Sequence, residues 1–213
     1  RVDGGRGNRT GGSGGGGRIV VKYDPAAQAA LLDPRPPVRF SALAYQSTDR
    51  GDVWNFKADM GTLSIPDTTL LFDSPTSAVA WADQRFWHVQ ILPPGFTNWA
   101  PASFSLTNCV VLFCDGFVLA PTGDVALLAD SALWLKAAAT NEPNRTGSCL
   151  DVGGNLWIAT NAWLHVRAHA TNGAVAAVRV GGDATIEAGG GIDANGRGYY
   201  PSTNNSVGPG PGR

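Results

Sequence analysis

The histidines are the first residues to test for chemistry, and the chain has three of them. His165 and His169 lie in a segment, 163–169, in which polar or aromatic residues alternate with apolar ones. This alternation predicts a strand with both imidazoles on its solvent face. Four residues of extended chain place them about 13 Å apart, which is too far for one metal ion to bind both. We therefore expect neither a metal site nor a cofactor site here.

A group of aspartates is the second candidate for chemistry: Asp49, Asp52, Asp59, Asp67 and Asp73. A converging pair of carboxylates is what polysaccharide cleavage requires. These residues are scattered through a turn-rich region, and aspartate in turns commonly accepts hydrogen bonds from the backbone. HExxH and paired CxxC motifs are absent from the sequence. We expect a non-enzymatic protein with no catalytic residues, and a β-helical polysaccharide-cleaving enzyme is one alternative.

Three tryptophans could form a binding surface: Trp134, Trp157 and Trp163. Each lies in an alternating segment, in phase with the polar residues, so we expect all three to point outward. Exposed indole rings stack on sugar rings, which would make the chain a carbohydrate-binding or adhesive module. Contact with residues 40–105 or with a neighbouring subunit is the interpretation that we favour.

Composition and charge narrow the classes of partner. The chain has 213 residues and a formal net charge of −1, from 16 basic and 17 acidic side chains, so we expect neither nucleic acid nor an anionic membrane as partner. No segment approaches the roughly 18 apolar residues of a membrane span. The 28 glycines and 14 prolines favour strands and turns over helices. A short helix is predicted only at 25–32.

The three cysteines leave the redox state open: Cys109, Cys114 and Cys149. One disulfide with a free thiol and three buried thiols are both compatible with this odd number. Cys109 and Cys114 flank the apolar segment 110–113, which favours a buried thiol for at least one of them.

The elements that position these residues follow a repeat in the C-terminal half. Each copy begins with Gly followed by Asp or Asn, continues with a strand-like triplet, and reaches a second triplet after five more residues. The copies begin at Gly123-Asp124, Gly154-Asn155 and Gly182-Asp183, with offsets of 31 and 28 residues. Apolar residues recur at equivalent positions, which are Leu127, Ile158 and Ile186 in the first triplet and Leu133, Leu164 and Ile192 in the second.

A repeat of this length, with alternating strands and no helical pattern between them, predicts a parallel β-solenoid (β-helix). The recurring apolar residues would form two internal columns. The Gly-Asp and Gly-Asn pairs would form the corners, because these residue types tolerate positive φ. A β-sandwich of hairpins is the alternative fold. Residues 61–65 are expected to be an earlier, more diverged coil.

Glycine-rich strings accompany the repeat at residues 12–19, 183–190 and 194–199. Together these segments resemble very large bacterial surface proteins, similar to autotransporter passengers and filamentous adhesins, in which Gly-rich strings alternate with β-helical coils. The resemblance implies a secreted or cell-surface location. In that pattern a segment like 194–199 precedes one like 12–19. Arg213 is therefore expected next to Arg1 of another copy, within a giant chain or head to tail in a filament.

The predicted organisation is all-β in four parts. A Gly-rich arm at 1–17 precedes an irregular all-β region of diverged coils at 18–105, and solenoid coils at 106–198 precede a Gly/Pro-rich arm at 199–213. The expected function is that of a structural subunit or repeat of a bacterial extracellular filament, sheath or giant surface adhesin. Its expected partners are copies of itself, with polysaccharide as the partner of the alternative module.

Overall fold

A computed structural model shows an all-β chain whose strand pairs are parallel. The structure describes residues 1–4, 14–31, 38–43, 59–73, 79–81, 86–140, 145–169 and 174–194. The predicted arm at 199–213 lies outside the described residues, as do Asp49 and Asp52.

Eighteen strands occur in the described residues. In chain order they are β1 Arg18–Val20, β2 Phe40–Ser41, β3 Thr62–Ser64, β4 Val79–Ala80, β5 Phe86–Trp87, β6 Val89–Ile91, β7 Asn98–Trp99, β8 Ser103–Leu106, β9 Val110–Phe113, β10 Val118–Leu119, β11 Val125–Leu127, β12 Ala132–Lys136, β13 Thr146–Val152, β14 Leu156–Ile158, β15 Trp163–Arg167, β16 Val175–Val180, β17 Ala184–Ile186 and β18 Gly191–Asp193.

Helical structure in the described residues consists of α1, Pro25–Ala29, and a 3-10 turn at Thr69–Leu71. The predicted helix at 25–32 is confirmed in a shorter form. Asp24 caps its N-terminus: the carboxylate accepts hydrogen bonds from the backbone N–H groups of Ala26 and Ala27. Such N-capping satisfies donors that have no partner within the first turn of a helix.

The strands form three parallel sheets and one short parallel pair. Sheet 1 has the order β1-β3-β6-β9-β12-β15-β18, sheet 2 has β7-β10-β13-β16, sheet 3 has β4-β8-β11-β14-β17, and β2 pairs with β5. From β7 onward the chain adds one strand to sheets 2, 3 and 1 in turn. We call each such set of three strands a circuit. Sheet 1 includes strands from both of the predicted regions 18–105 and 106–198.

The strand register follows the repeat read from the sequence. Leu127 pairs with Ile158, and Ile158 with Ile186, in sheet 3. In sheet 1 the corresponding partners are Leu133, Leu164 and Ile192. Both predicted columns are thus confirmed as register partners. The predicted earlier coil at 61–65 contains β3, which lies between β1 and β6 in sheet 1.

The two columns are interior for only part of their length. Leu127, Ile158 and Leu164 are completely buried, whereas Ile186 and Ile192 are 47% and 45% exposed. An interior position was predicted for all members, and it is wrong for the last one of each column. The reason is that no further circuit covers β17 and β18 in the described part of the chain.

Aromatic side chains fill the core of the earlier, less regular part. Trp81 is buried, and its ring lies 4.3 Å from that of Phe86, 5.3 Å from Phe104 and 5.7 Å from Phe113, measured between centroids. Phe113 in turn stacks on Phe117 at 4.4 Å. This cluster packs strands of sheets 1 and 3 against each other. The predicted irregular region therefore shares one core with the repeat.

The corner prediction was wrong about backbone conformation. Positive φ is found at none of the six residues assigned to corners, which are Gly123, Asp124, Gly154, Asn155, Gly182 and Asp183. Glycine allows close approach there instead: a Cβ on Gly182 would lie 2.4 Å from Oδ1 of Asn155 and 3.0 Å from the backbone oxygen of Gly154. Positive φ is found instead two positions before each of the strands β9, β12, β15 and β18. The residues with this left-handed backbone conformation are Asn108, Asp130, Asn161 and Gly189. These residue types adopt that conformation most readily.

Candidate functional site

The candidate site is the end face, formed by the strands β16, β17 and β18. Each of the three is the last strand of its sheet, and together they form one continuous circuit. The last strand of a sheet carries backbone N–H and C=O groups on its outer edge that can pair with another strand. Among the described residues, three such edges therefore lie on one face of the molecule.

Apolar side chains that continue the interior are uncovered on this face. Ile186 and Ile192 are 47% and 45% exposed. Their partners one circuit earlier in sheets 3 and 1, Ile158 and Leu164, are completely buried. The end face thus exposes side chains that become part of the core wherever a further circuit is present.

A ladder of side-chain hydrogen bonds also ends on this face. The backbone N–H of Asn155 donates to Oδ1 of Asp124 at 2.7 Å, and the N–H of Asp183 donates to Oδ1 of Asn155 at 2.9 Å. Each corner side chain is therefore the acceptor for the next corner. The carboxylate of Asp183 occupies the next position of the ladder, where no hydrogen bond from the described residues reaches it.

Two aromatic rings and one carboxylate form a column of side chains on the outer surface of sheet 1. Trp134 pairs in register with His165, and His165 with Asp193. The Trp134 and His165 rings stack at 4.0 Å between centroids, and Nδ1 of His165 lies 2.8 Å from Oδ2 of Asp193. His165 is thus held by its two neighbours in adjacent strands. The predicted outward face at 163–169 is consistent with this arrangement.

The three predicted surface tryptophans do not form one platform. Trp134 and Trp163 belong to sheet 1, whereas Trp157 belongs to sheet 3. Trp157 is 49% exposed and Trp163 is 40% exposed. Nε1–H of Trp157 donates to Glu187 at 3.1 Å, and the same carboxylate accepts the backbone N–H of Thr160 at 3.0 Å. The structure therefore brings together Trp134 and Trp163 but places Trp157 on a neighbouring face.

No known protein family matches this chain, and neither does any curated protein or solved structure. No helix in the described residues is both long enough and apolar enough to cross a membrane.

Two of the aspartates considered for catalysis serve as local acceptors. Asp67 accepts a hydrogen bond from the Tyr23 hydroxyl at 2.5 Å and one from the Thr69 N–H at 2.8 Å. Burial acts to raise the pKa of Asp67, but these hydrogen bonds outweigh it and lower that pKa below its ordinary value. Asp73 accepts from the Trp81 N–H at 3.1 Å. Within the described residues, no three His, Cys, Asp or Glu side chains lie close enough to bind a metal ion.

The cysteines are free thiols in this structure, with Cys109 and Cys149 buried and Cys114 partly buried. Burial raises the pKa of Cys109 to about 12. It also raises the pKa values of Cys114 and Cys149. Buried thiols that stay protonated are poor nucleophiles and poor metal ligands. Cys109 therefore acts as a small apolar core residue and Cys114 packs against the core, whereas Sγ of Cys149 accepts a hydrogen bond from Arg179 at 3.6 Å.

The column of residues with positive φ was not predicted from the sequence, although the sequence contains a signal for it. Asn108, Asp130, Asn161 and Gly189 follow one another at offsets of 22, 31 and 28 residues. The last two offsets equal those of the Gly-Asp and Gly-Asn pairs. The two kinds of corner have similar composition, and only backbone conformation distinguishes them.

Proposed function

We propose that this chain is a structural, non-enzymatic module that extends end to end with copies of itself. The single observation that carries the proposal is the end face, where three sheets end in one circuit and core-type side chains are exposed. Covering Ile186 and Ile192 with further parallel strands removes apolar surface from water and satisfies the outer backbone edges. A second copy of the module supplies such strands.

We further propose that sheets 1, 2 and 3 are the faces of a parallel β-solenoid. The cyclic order of the strands supports this, because each circuit adds one strand to each sheet. The register supports it as well, since partners in sheets 1 and 3 are separated by the same 31 and 28 residues. In such a fold each circuit contacts only its neighbours, so the structure grows by adding circuits at an end.

The use of the polar side chains supports a mechanical function over a catalytic one. Asp124, Asn155 and Glu187 each accept a backbone N–H from a neighbouring circuit or corner. Asp67 and Asp73 bind nearby backbone or hydroxyl donors. Among the described residues, these side chains are distributed along the stack, where they hold successive segments together.

The proposed setting is a bacterial extracellular filament, sheath or giant surface adhesin. It rests on the resemblance of the Gly-rich strings to large bacterial surface proteins. The packing of one string is compatible with a structural use: a Cβ on Gly16 would collide with the Ala42 carbonyl oxygen and with the Gly61 backbone. Glycine thus allows this string to lie directly against its neighbouring strands.

The test is self-association, measured by sedimentation velocity over a concentration series and viewed by negative-stain electron microscopy. We expect linear particles of the width of one module, lengthening with concentration. Ile192→Asp places a charge on the end face and should shorten the particles. Ser105→Asp places the same charge on an outward residue of the inner strand β8, away from the end face, and serves as the matched control. A wild-type chain that stays monomeric at its highest soluble concentration would contradict the proposal.

Sugar binding is a second candidate function, favoured by the exposure of Trp157 and Trp163. Because the two rings lie on neighbouring sheets, each would form a separate contact and not one extended platform. Screening on a glycan array tests this candidate, with Trp157→Ala and Trp163→Ala as paired variants. Binding that disappears in one variant and persists in the other would assign the site. An array without any bound sugar leaves the structural module as the function.

A further inference from the structure

Resting on the proposed end-to-end assembly, we infer which strands meet at the junction. Strand β18 of one copy pairs in parallel with β1 of a second copy, so that sheet 1 continues from one copy into the next. The inference specifies the partner, a second copy of this chain, and the register of the contact.

Strand length and direction make these two strands compatible. Strands β1 and β18 are the two outermost strands of sheet 1, and each has three residues. All pairs within this sheet are parallel, so β1 and β18 run in the same direction. Translation of a second copy along the stack therefore places β1 beside β18 in the orientation that the rest of the sheet already has.

The side chains of the two strands are also in phase. Ile192 pairs with the buried Leu164, and Ile19 pairs with the buried Leu63, so both isoleucines belong to the inward face of sheet 1. Pairing Ile192 with Ile19 of the second copy continues the apolar interior across the junction. The same register places Asp193 opposite Val20, and both lie on the outward face. Val20 is 52% exposed in the single chain.

Charge favours this pairing over contact between two identical ends. In the segment 18–24 the exposed cations Arg18 and Lys22 outnumber the one exposed acid, Asp24, so the β1 end is basic. The opposite end carries the carboxylates of Asp183, Glu187 and Asp193 against one exposed cation, Arg179 on β16, so that end is acidic. Opposite charges therefore meet when β18 docks on β1, whereas two copies joined through β18 would bring carboxylates together. That symmetric pairing would also be antiparallel, unlike every other pair in sheet 1.

The register can be tested by disulfide trapping between two single-cysteine variants, made in a background whose native Cys109, Cys114 and Cys149 are replaced by alanine. Asp193→Cys and Val20→Cys are mixed under mild oxidation and analysed by non-reducing electrophoresis. Adjacent strands lie about 4.8 Å apart, within the range of Cα separations that a disulfide spans. We expect a covalent dimer in the mixture and none in either variant alone. Thr185→Cys mixed with Val20→Cys is the matched control, and it should give no dimer.

Two variants that place opposite charges at position 20 provide a second readout, which does not depend on cysteine chemistry. Val20→Glu places an acid opposite Asp193 and should raise the concentration for half-maximal assembly by about tenfold. Val20→Lys, at the same exposed position, should leave that concentration unchanged or lower it. Circular dichroism of both variants verifies that the module is folded.

The outcomes separate this inference from the proposed function. A wild-type chain that does not assemble overturns both. If the wild type assembles but the mixture gives no cross-link and Val20→Glu assembles normally, the β18–β1 junction is wrong and the structural function stands. A dimer formed by Asp193→Cys alone indicates contact between two β18 strands and also overturns the inferred junction.

Discussion

Asn155 and Asp183 are joined across 28 positions of the chain by one hydrogen bond, in which the Asp183 backbone N–H donates to Oδ1 of Asn155 at 2.9 Å. Asp124 makes the equivalent bond to the N–H of Asn155 at 2.7 Å. A polar residue at an exposed corner thus ties two circuits together. The side chain also satisfies a backbone donor that lies outside the strand pairing.

The first prediction concerns this ladder. Asn155→Ala removes the acceptor for the Asp183 N–H and should lower the free energy of unfolding by about 1 kcal/mol. Asp183→Ala is the matched control, because its carboxylate accepts no hydrogen bond from the described residues, and it should change stability by less than about 0.5 kcal/mol. Urea denaturation of both variants measures the difference. Equal losses would show that the side-chain ladder does not contribute.

The second prediction compares two isoleucines of one column. Ile158 is completely buried and Ile186 is 47% exposed, although they are register partners in sheet 3. Ile158→Ala should cost about 2–5 kcal/mol, because it leaves a cavity in a packed core. Ile186→Ala should cost much less in the monomer, since part of its side chain already contacts water. Similar losses in urea denaturation would contradict the exposed position of Ile186.

The third prediction tests close approach at a corner. A Cβ on Gly153 would collide with the Thr122 carbonyl oxygen and lie 2.8 Å from its carbon, and backbone atoms cannot move aside as a side chain can. Gly153→Ala should therefore lower the thermal midpoint. Gly95→Ala, whose nearest atom would be the Pro66 carbonyl oxygen at 3.4 Å, should leave the midpoint unchanged or raise it slightly. A tolerated Gly153→Ala would argue against this stacking of corners.

The fourth prediction concerns thiol reactivity. Burial raises the pKa of Cys109 from 9.0 to about 12, so its thiolate is scarce at pH 8. Alkylation of Cys109 in the folded chain should be slow at pH 8 and should rise steadily with pH, because the thiolate fraction increases at every pH below the pKa. In urea the same thiol should react readily. Mass spectrometry of tryptic peptides identifies the modified residue, and rapid labelling of Cys109 in the folded chain would contradict its burial.

The fifth prediction gives a sign for the pH dependence. The pKa of Asp67 is lowered in the folded chain, so its ionised form contributes stability above the ordinary carboxyl pKa of 3.8. This contribution is lost as the pH falls through the lowered folded value. Asp67→Asn, which resembles the protonated acid, should be less stable than the wild type at pH 7. The free energies of unfolding of the two proteins should converge in acid. A difference that stays constant with pH would show that the substitution acts through packing and not through the charge of Asp67.

Several features of this protein were determined by its sequence alone. Alternation in segments such as 163–169 predicts strands, because successive side chains of a strand point to opposite faces. Leu127, Ile158 and Ile186 recur at the same position within each copy of the repeat, and this recurrence predicted their pairing, since residues that stack in successive circuits must occupy equivalent positions. Both signals are local or periodic, and periodic signals can be read without a structure.

Other features were decided only by the tertiary structure. The role of glycine at a corner depends on the backbone of the neighbouring circuit. Gly182 lies close to the backbone of Gly154, whereas Gly189 adopts a positive φ. The contact of Trp81 with Phe113 joins residues that share no repeat position. The exposure of Ile186 and Ile192 depends on their place in the last circuit and not on their residue type. Whether a side chain is buried depends on whether another strand covers it. That is decided by how distant parts of the chain stack on one another.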